Sequence, residues 1–295
     1  MIRPRELSAS LGLFAARTPT LLPATHTNSY ALGGRDVLLV EPATPYEDEQ
    51  RAWIAWAREL ASTGRRIVAI VATHHHPDHV GGAALLSKEL ALPVWAHEMT
   101  ASRVDVPVAR RLADGDEIVL EGPRDETWRV LHTPGHAPGH VCLFEPRSRT
   151  VVVGDMVASV GTILVAPGDG DMTLYLEQLE RLAALDASLA LPAHGEPIDD
   201  PTALFHRYVA HRRMREAKIL DALEAACAAA IGAGVTATEL VPAAYDDVSP
   251  AIWPLAKLSV DAHLEKLERE GRIARTGEPD AFRVVPGGRG PGVVG

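Results

Sequence analysis

The run Val71-Ala72-Thr73-His74-His75-His76-Pro77-Asp78-His79-Val80-Gly81-Gly82 places four imidazoles and a carboxylate within six residues, directly after an apolar stretch. Neutral imidazole combined with carboxylate suits Zn²⁺, whereas Mg²⁺ would call for mostly oxygen ligands. If the apolar stretch is a strand, these side chains emerge together at one sheet edge, and Pro77 stops a helix from continuing through them. On extended chain His74 and His76 lie two apart and can point to one metal, while Asp78 and His79 turn towards a second. A His-rich tract by itself also describes an adventitious metal binder or a surface loop. Three later segments, HTPGHAPGH, VVVGDM and LPAHGEP, each follow a β-rich run and add His136, Asp155 and His194. Within the first of them His132 and His140 compete with His136, and the residues alone leave that choice open. Two zinc ions a few ångströms apart would lower the pKa of a shared water enough to present hydroxide near pH 7, and one could polarise the oxygen under attack. No serine or cysteine nucleophile is then needed. Asp78 is the candidate to orient that hydroxide and receive its proton.

The elements that must position this set alternate between Tyr30 and Val160. DVLLVEP, RIVAIVATH, LPVWAH, WRVLHTPGH, VCLFEP and TVVVGDM read as strands. Between the first two, Tyr46 to Thr63 carries apolar residues at helical spacing, and a further helix is expected from Gly81-Gly82 through Leu90. Met172 to Ala187 reads as a helix before the strand-like LALPAHG. Sheets covered by helices, with chemistry in the loops, is the pattern. After Pro201 the composition shifts to Ala, Arg and Glu. A long helix is expected from Leu204 to Ala230, ended by Gly232 and Gly234. A short helix capped by Thr236 or Thr238 follows through Tyr245, then a helix from Ile252 to Glu270 and a hairpin, RIARTG-EPD-AFRVV. Three helices followed by a hairpin form a winged-helix pattern. The expected division is a catalytic domain over 1–205, a winged-helix-like domain over 206–285 and a flexible tail over 286–295.

The succession HxHxDH, a distant His, an Asp and a final His resembles the metallo-β-lactamase superfamily. The resemblance implies an α/β fold, an αββα sandwich, with a small C-terminal winged-helix-like domain. It also implies that His74, His76 and His136 hold one zinc, that Asp78, His79 and His194 hold the other, and that Asp155 bridges them. The TPGHxxGH context selects His136, because the family places its ligand directly after the PG turn. His140 then supports the site and His75 faces away from the metals. A cysteine ligand found in several true β-lactamase groups is replaced here by Asp155, which argues against β-lactam hydrolysis. The segments His26-Thr27-Asn28-Ser29-Tyr30-Ala31-Leu32-Gly33, GDMVASVGTILVAPGDGDM and HRRMREAKIL, followed by the winged-helix region, resemble the lactamase-β-like protein 2 family. That resemblance implies single-stranded RNA cleavage in some members and ester or thioester hydrolysis in many bacterial ones.

Composition sets limits on partners. Of 295 residues 46% are hydrophobic and 23% charged, which excludes a mainly disordered chain. A formal charge of −10 and a pI near 5.7 argue against a protein that coats nucleic acid without specificity. One basic segment, His206 to Lys218, reads either as the solvated face of a helix or as an anion-binding surface. In the second case Arg212, Arg213 and Arg215 are the candidate substrate contacts. Cys142 and Cys227 suggest neither a disulfide framework nor a metal knuckle. No apolar run reaches membrane-spanning length and no signal-peptide cleavage pattern follows the N-terminus, so a cytoplasmic protein is expected. The expectation is a hydrolase with two zinc ions per chain, iron or manganese being alternatives. Its partner would be a small-molecule ester or thioester, with RNA the second choice and a catalytically silent metal-binding protein the third. Oligomeric state is not legible.

Overall fold

The computed structural model describes residues 3–229 and 234–285. Seven strands, β1 (Arg5–Ser8), β2 (Leu11–Arg17), β3 (His26–Leu32), β4 (Asp36–Val40), β5 (Arg66–Val71), β6 (Val94–His97) and β7 (Val108–Leu112), pair in sequence order. They are antiparallel up to β4 and parallel from β4 to β7. A second sheet holds β8 (Glu117–Leu120), β9 (Glu126–His132), β10 (Val141–Glu145), β11 (Thr150–Gly154) and β12 (Leu189–Pro192) in the order β12-β11-β10-β9-β8. The helices are α1 (Glu47–Ser62), the short α2 (Pro77–Val80), α3 (Ala83–Leu90), the short α4 (Glu98–Ala101), α5 (Met172–Ala183), α6 (Pro201–Ala229), α7 (Ala237–Ala244) and α8 (Trp253–Arg269). A third, small sheet orders β13 (Val235–Thr236), β15 (Ala281–Val284) and β14 (Ile273–Arg275) as β13-β15-β14.

Strand alternation explains the layering. On β4, Leu38 and Val40 face a core shared with Val130, Leu143 and Val152 of the second sheet, while Val37 and Leu39 face Trp53, Trp56 and Leu86 of α1 and α3. Both faces are buried, so the strand is apolar throughout instead of alternating. The second sheet likewise turns Val151 and Val153 towards Tyr175, Leu179, Phe205 and Val209 of α5 and α6. Helix, sheet, sheet, helix is therefore set by side-chain period. The C-terminal core is separate and gathers Ile219, Leu223, Leu240, Val260, Leu264 and Phe282.

Several expectations shift. The N-terminal segment, to which no element was assigned, forms β1 and β2, and β7 and β8 were not foreseen. Pro77 does not simply exclude helix: it occupies the first position of α2, where its fixed φ is favourable and no N–H is needed. Helix α6 starts at Pro201 and runs unbroken past residue 205, with Phe205 and Val209 in the sheet-side core and Ile219 and Leu223 in the C-terminal core. Thr236, not Thr238, caps α7 through a reciprocal capping box with Glu239. The expected stop at Gly232 and the tail over 286–295 lie outside the described residues.

The C-terminal unit is tied to α6 by a buried carboxylate. Glu216 accepts from Lys266 Nζ at 2.8 Å, Arg272 Nη1 at 3.3 Å and His263 Nδ1 at 3.4 Å. Burial would raise its pKa, but His263 and Lys266 outweigh that and hold it down at about 2. A carboxyl depressed on folding stabilises above its unfolded pKa of about 4.3, and the gain is lost as pH falls through the folded value. Glu216→Gln is therefore expected to lower the unfolding free energy by about 2 kcal/mol at pH 7. Denaturant titrations should show the difference between the two proteins shrinking below about pH 4 and vanishing near pH 2.

Candidate metal centre

Each element delivers its side chain at the end of a strand or in the loop just after it. His74, His76, Asp78 and His79 follow β5 and enter α2, His136 follows β9, Asp155 follows β11 and His194 follows β12. Gly135 makes the turn before His136 with φ +140°, and a Cβ there would lie 2.4 Å from the Tyr175 backbone, so only glycine lets the loop pass. Gly154 does the same before Asp155, where a Cβ would meet His140 Nε2 at 2.5 Å.

Three nitrogens converge. His74 Nε2 and His76 Nδ1 are 3.0 Å apart, and His136 Nε2 lies 3.2 Å from the first and 3.0 Å from the second. That is close to the edge, about 3.3 Å, of a tetrahedron with Zn–N arms of 2.0–2.1 Å. A second group sets Asp78 Oδ2 at 3.7 Å from His79 Nε2 and 3.6 Å from His194 Nε2. Asp155 stands between the groups, 3.4 Å from His136, 3.6 Å from His79 and 3.3 Å from His194. His79 Nε2 and Asp155 Oδ1 are buried without any hydrogen-bond partner. Two orphaned buried polar atoms in one cluster are costly unless a cation completes them.

The outward nitrogens explain how the inward ones keep their lone pairs. His136 Nδ1 donates to the Leu164 carbonyl at 2.8 Å, His194 Nδ1 to the His26 carbonyl at 3.0 Å, and His79 Nδ1 to Glu41 Oε1 at 3.1 Å. His74 Nδ1 donates to Thr73 Oγ1 at 3.0 Å, and that hydroxyl in turn donates to Glu41. His76 Nε2 donates to Asp169 Oδ2 at 3.3 Å. With their outer nitrogens spent on oxygen acceptors, all five rings would turn a bare nitrogen inward once a metal displaces any inner proton, the tautomer a metal requires. Glu41, Thr73 and Asp169 were not foreseen. A buried glutamate at a strand end was the available signal, for Glu41 closes DVLLVE in left-handed conformation at φ +63°.

Electrostatics divides the two groups. Burial and the neighbouring imidazoles push His74 far below the usual range, and burial pushes His136 down to about 4 against the pull of Asp155. These rings are neutral at pH 7. His79 goes the other way: burial disfavours its charge, but Asp155, Asp78 and Glu41 lift it well above the ordinary value. Asp155 also raises His194, and despite burial His79 and His194 hold Asp155 well below the carboxylate range. Positive charge is already accommodated there, and a metal would displace protons to take it over.

The remaining histidines sort themselves. His140 Nε2 accepts from the Asp155 N–H at 3.0 Å and its Nδ1 donates to Thr133, so it fixes Asp155 from behind. His132 stacks on His97 with centroids 4.0 Å apart and donates to the Pro138 carbonyl, away from the cluster. His75 bonds Asp169 and joins neither group.

The arginine cluster is a correction. Arg212 is 2% exposed and donates to the Ile163 carbonyl, and Arg215 is 4% exposed and paired with Asp247 at 2.6 and 2.8 Å. Arg213 is exposed but paired with Glu180 at 2.5 Å. They brace α6 against its neighbours and present no free basic surface to an anionic substrate.

Comparison with known proteins accords with this geometry. Residues 22–194 match the metallo-beta-lactamase superfamily and residues 236–282 match the beta-lactamase associated winged helix domain. The chain is 28% identical to the Drosophila melanogaster beta-lactamase-like protein 2 homolog over 95% of its own length and 96% of the relative's. It is 29% identical to an Aspergillus chevalieri atrochrysone carboxyl ACP thioesterase over 75% of this chain and 68% of that one. A metallo-beta-lactamase family protein from Thermus thermophilus superposes with a TM-score of 0.76 at 26% identity, covering 95% of this chain and all of the other.

Proposed function

Because the chain belongs to the metallo-beta-lactamase superfamily of hydrolases, we propose that it is a dinuclear zinc enzyme that hydrolyses an ester or thioester. The observation that carries this reading is the set of five imidazoles whose outer N–H groups are all spent on oxygen acceptors, leaving their inner nitrogens to two positions flanking Asp155. His74, His76 and His136 would hold one ion, Asp78, His79 and His194 the other, and Asp155 both. All-nitrogen and carboxylate donors favour zinc, with iron or manganese the alternatives. Metals held there would lower the pKa of a water and polarise a carbonyl.

The chain's own residues supply the rest. Asp78, partly exposed beside His194, would orient an attacking water and receive its proton through the oxygen not turned to the metal. An open cavity of about 360 Å³ lies beside Gly195, behind His194 from the metal positions, lined among others by Pro23, Ala24, His26, Val160 and Glu196. The adjoining loop exposes Leu22 at 82% and Leu21 at 52%, an apolar surface suited to an acyl chain. The thioesterase name of one relative favours the same class. A cytoplasmic setting fits the two unpaired cysteines, and among the described residues no helix is long and apolar enough to cross a membrane.

The direct test is turnover of acyl thioesters, lactones, β-lactams and single-stranded RNA by one zinc-loaded preparation. Thioester or ester hydrolysis abolished by chelation and restored by zinc is the expected result. Activity confined to RNA or to β-lactams would overturn the choice.

A further inference from the structure

The chain between β11 and α5 crosses the metal centre as a loop, and both of its faces are tied. On the inner face the Leu164 carbonyl takes the N–H of His136, and Asp169 Oδ2 takes the N–H of His76 at 3.3 Å and of His75 at 3.1 Å. On the outer face two arginines of the C-terminal helices hold it. Arg212 of α6 donates to the Ile163 carbonyl, and Arg269 of α8 grips Asp171 at 2.5 and 3.0 Å. Asp171 is also the N-cap of α5, accepting from Thr173 at 2.9 Å and Leu174 at 3.1 Å, and its N–H bonds the Gly135 carbonyl beside His136.

His76 is the ring that needs such help. Its side chain is 27% exposed, against 0% for His79, 7% for His136 and His194, 10% for Asp155 and 15% for Asp78. Packing fixes the others, whereas the orientation of His76 is set by the one carboxylate on its outer nitrogen. We propose that Asp169 is a positioning residue for His76, and that the loop carrying it is a clasp, closed from the C-terminal unit through Arg212 and Arg269, which sets how tightly the first metal position is held. The proposal rests on the two-metal reading above. It makes the C-terminal domain a part of the metal centre through two bonds, Arg269 to Asp171 and Asp169 to His76, that stand only two residues apart on the chain.

Cobalt(II) is the probe, titrated into metal-free protein against a chelator of known affinity, with its visible absorption reporting the geometry at each position. In the wild type two ions should bind. Asp169→Ala is expected to weaken one of them roughly ten- to a hundredfold, as removal of an outer partner of a metal-binding imidazole does, and to leave the other unchanged. Asp169→Asn, which keeps an acceptor oxygen, should recover part of the loss. Arg269→Ala should weaken the same ion by a few fold, because its ion pair is half exposed, and Arg275→Ala should weaken neither. Equal loss at both positions, no loss at either, or disappearance of a third ion held by His75, His76 and Asp169 would each overturn the clasp. A single ion in the wild type would sink the two-metal reading, and the clasp would then stand or fall on whether Asp169→Ala loosens that ion.

Discussion

Asp155→Ala is expected to leave a folded chain that retains no more than one tightly bound metal ion and has lost at least about a thousandfold in kcat/KM, on the order of 4 kcal/mol of barrier. Asp155 lies within 3.6 Å of nitrogens from both clusters, so its loss removes one donor from each. It also removes the charge that lifts His79 and His194 above their ordinary pKa values. The fold should survive because the backbone at this position is held by His140 and because His79 and His194, once Asp155 is gone, can shed their protons instead of remaining as buried unpaired charges. Because Asp155 is held below the carboxylate range and lifts His79 and His194 in the metal-free chain, metal-free Asp155→Ala should still unfold cooperatively, but at a lower temperature than the metal-free parent at pH 7. Elemental analysis after zinc saturation and desalting, with calorimetry on the stripped proteins, gives both readouts. Two ions per chain in the variant would refute the bridging role.

Six of the seven candidate residues could be picked from local pattern, because each sits on or just beyond a strand end and four share one short tract, whereas His136 was separated from His132 and His140 only by the family resemblance. Their supporting partners were not legible. Glu41 reaches His79 across 38 positions and Asp169 reaches His76 across 93, and a single hydrogen-bond acceptor leaves no periodic trace in the chain. The same limit produced the misreading of Arg212 and Arg215. A run of basic residues on a helix looks like surface until the opposite partners are known, and Asp247, 32 positions away, is brought to Arg215 only by the packing of α7 on α6. The sheets were half legible: β4, β5, β10 and β11 announce themselves as apolar runs. The partly exposed β7 and β8, with arginines and glutamate on their open faces, do not.

Charge placement also bears on the substrate class proposed above. An RNA enzyme must neutralise several phosphates, yet Arg213 is paired with Glu180, Lys218 with Asp246, Arg215 with Asp247 and Arg269 with Asp171. The net charge is −10. None of these paired cations is free to meet a phosphate, whereas the loop next to the cavity at Gly195 exposes the apolar side chains of Leu21 and Leu22. With one preparation, kcat/KM for an acyl thioester should therefore exceed that for a single-stranded oligoribonucleotide, and it should change by less than about threefold between roughly 50 and 200 mM salt. A substrate held through six or more phosphates would lose about a thousandfold over the same range. His76→Ala serves as the control, since it removes one nitrogen of the first cluster and should abolish true turnover while leaving a contaminating nuclease untouched. Oligoribonucleotide cleavage that falls steeply with salt and disappears in His76→Ala, with no thioester turnover, would make the protein an endoribonuclease. It would also require the paired arginines to exchange their carboxylates for phosphates on binding.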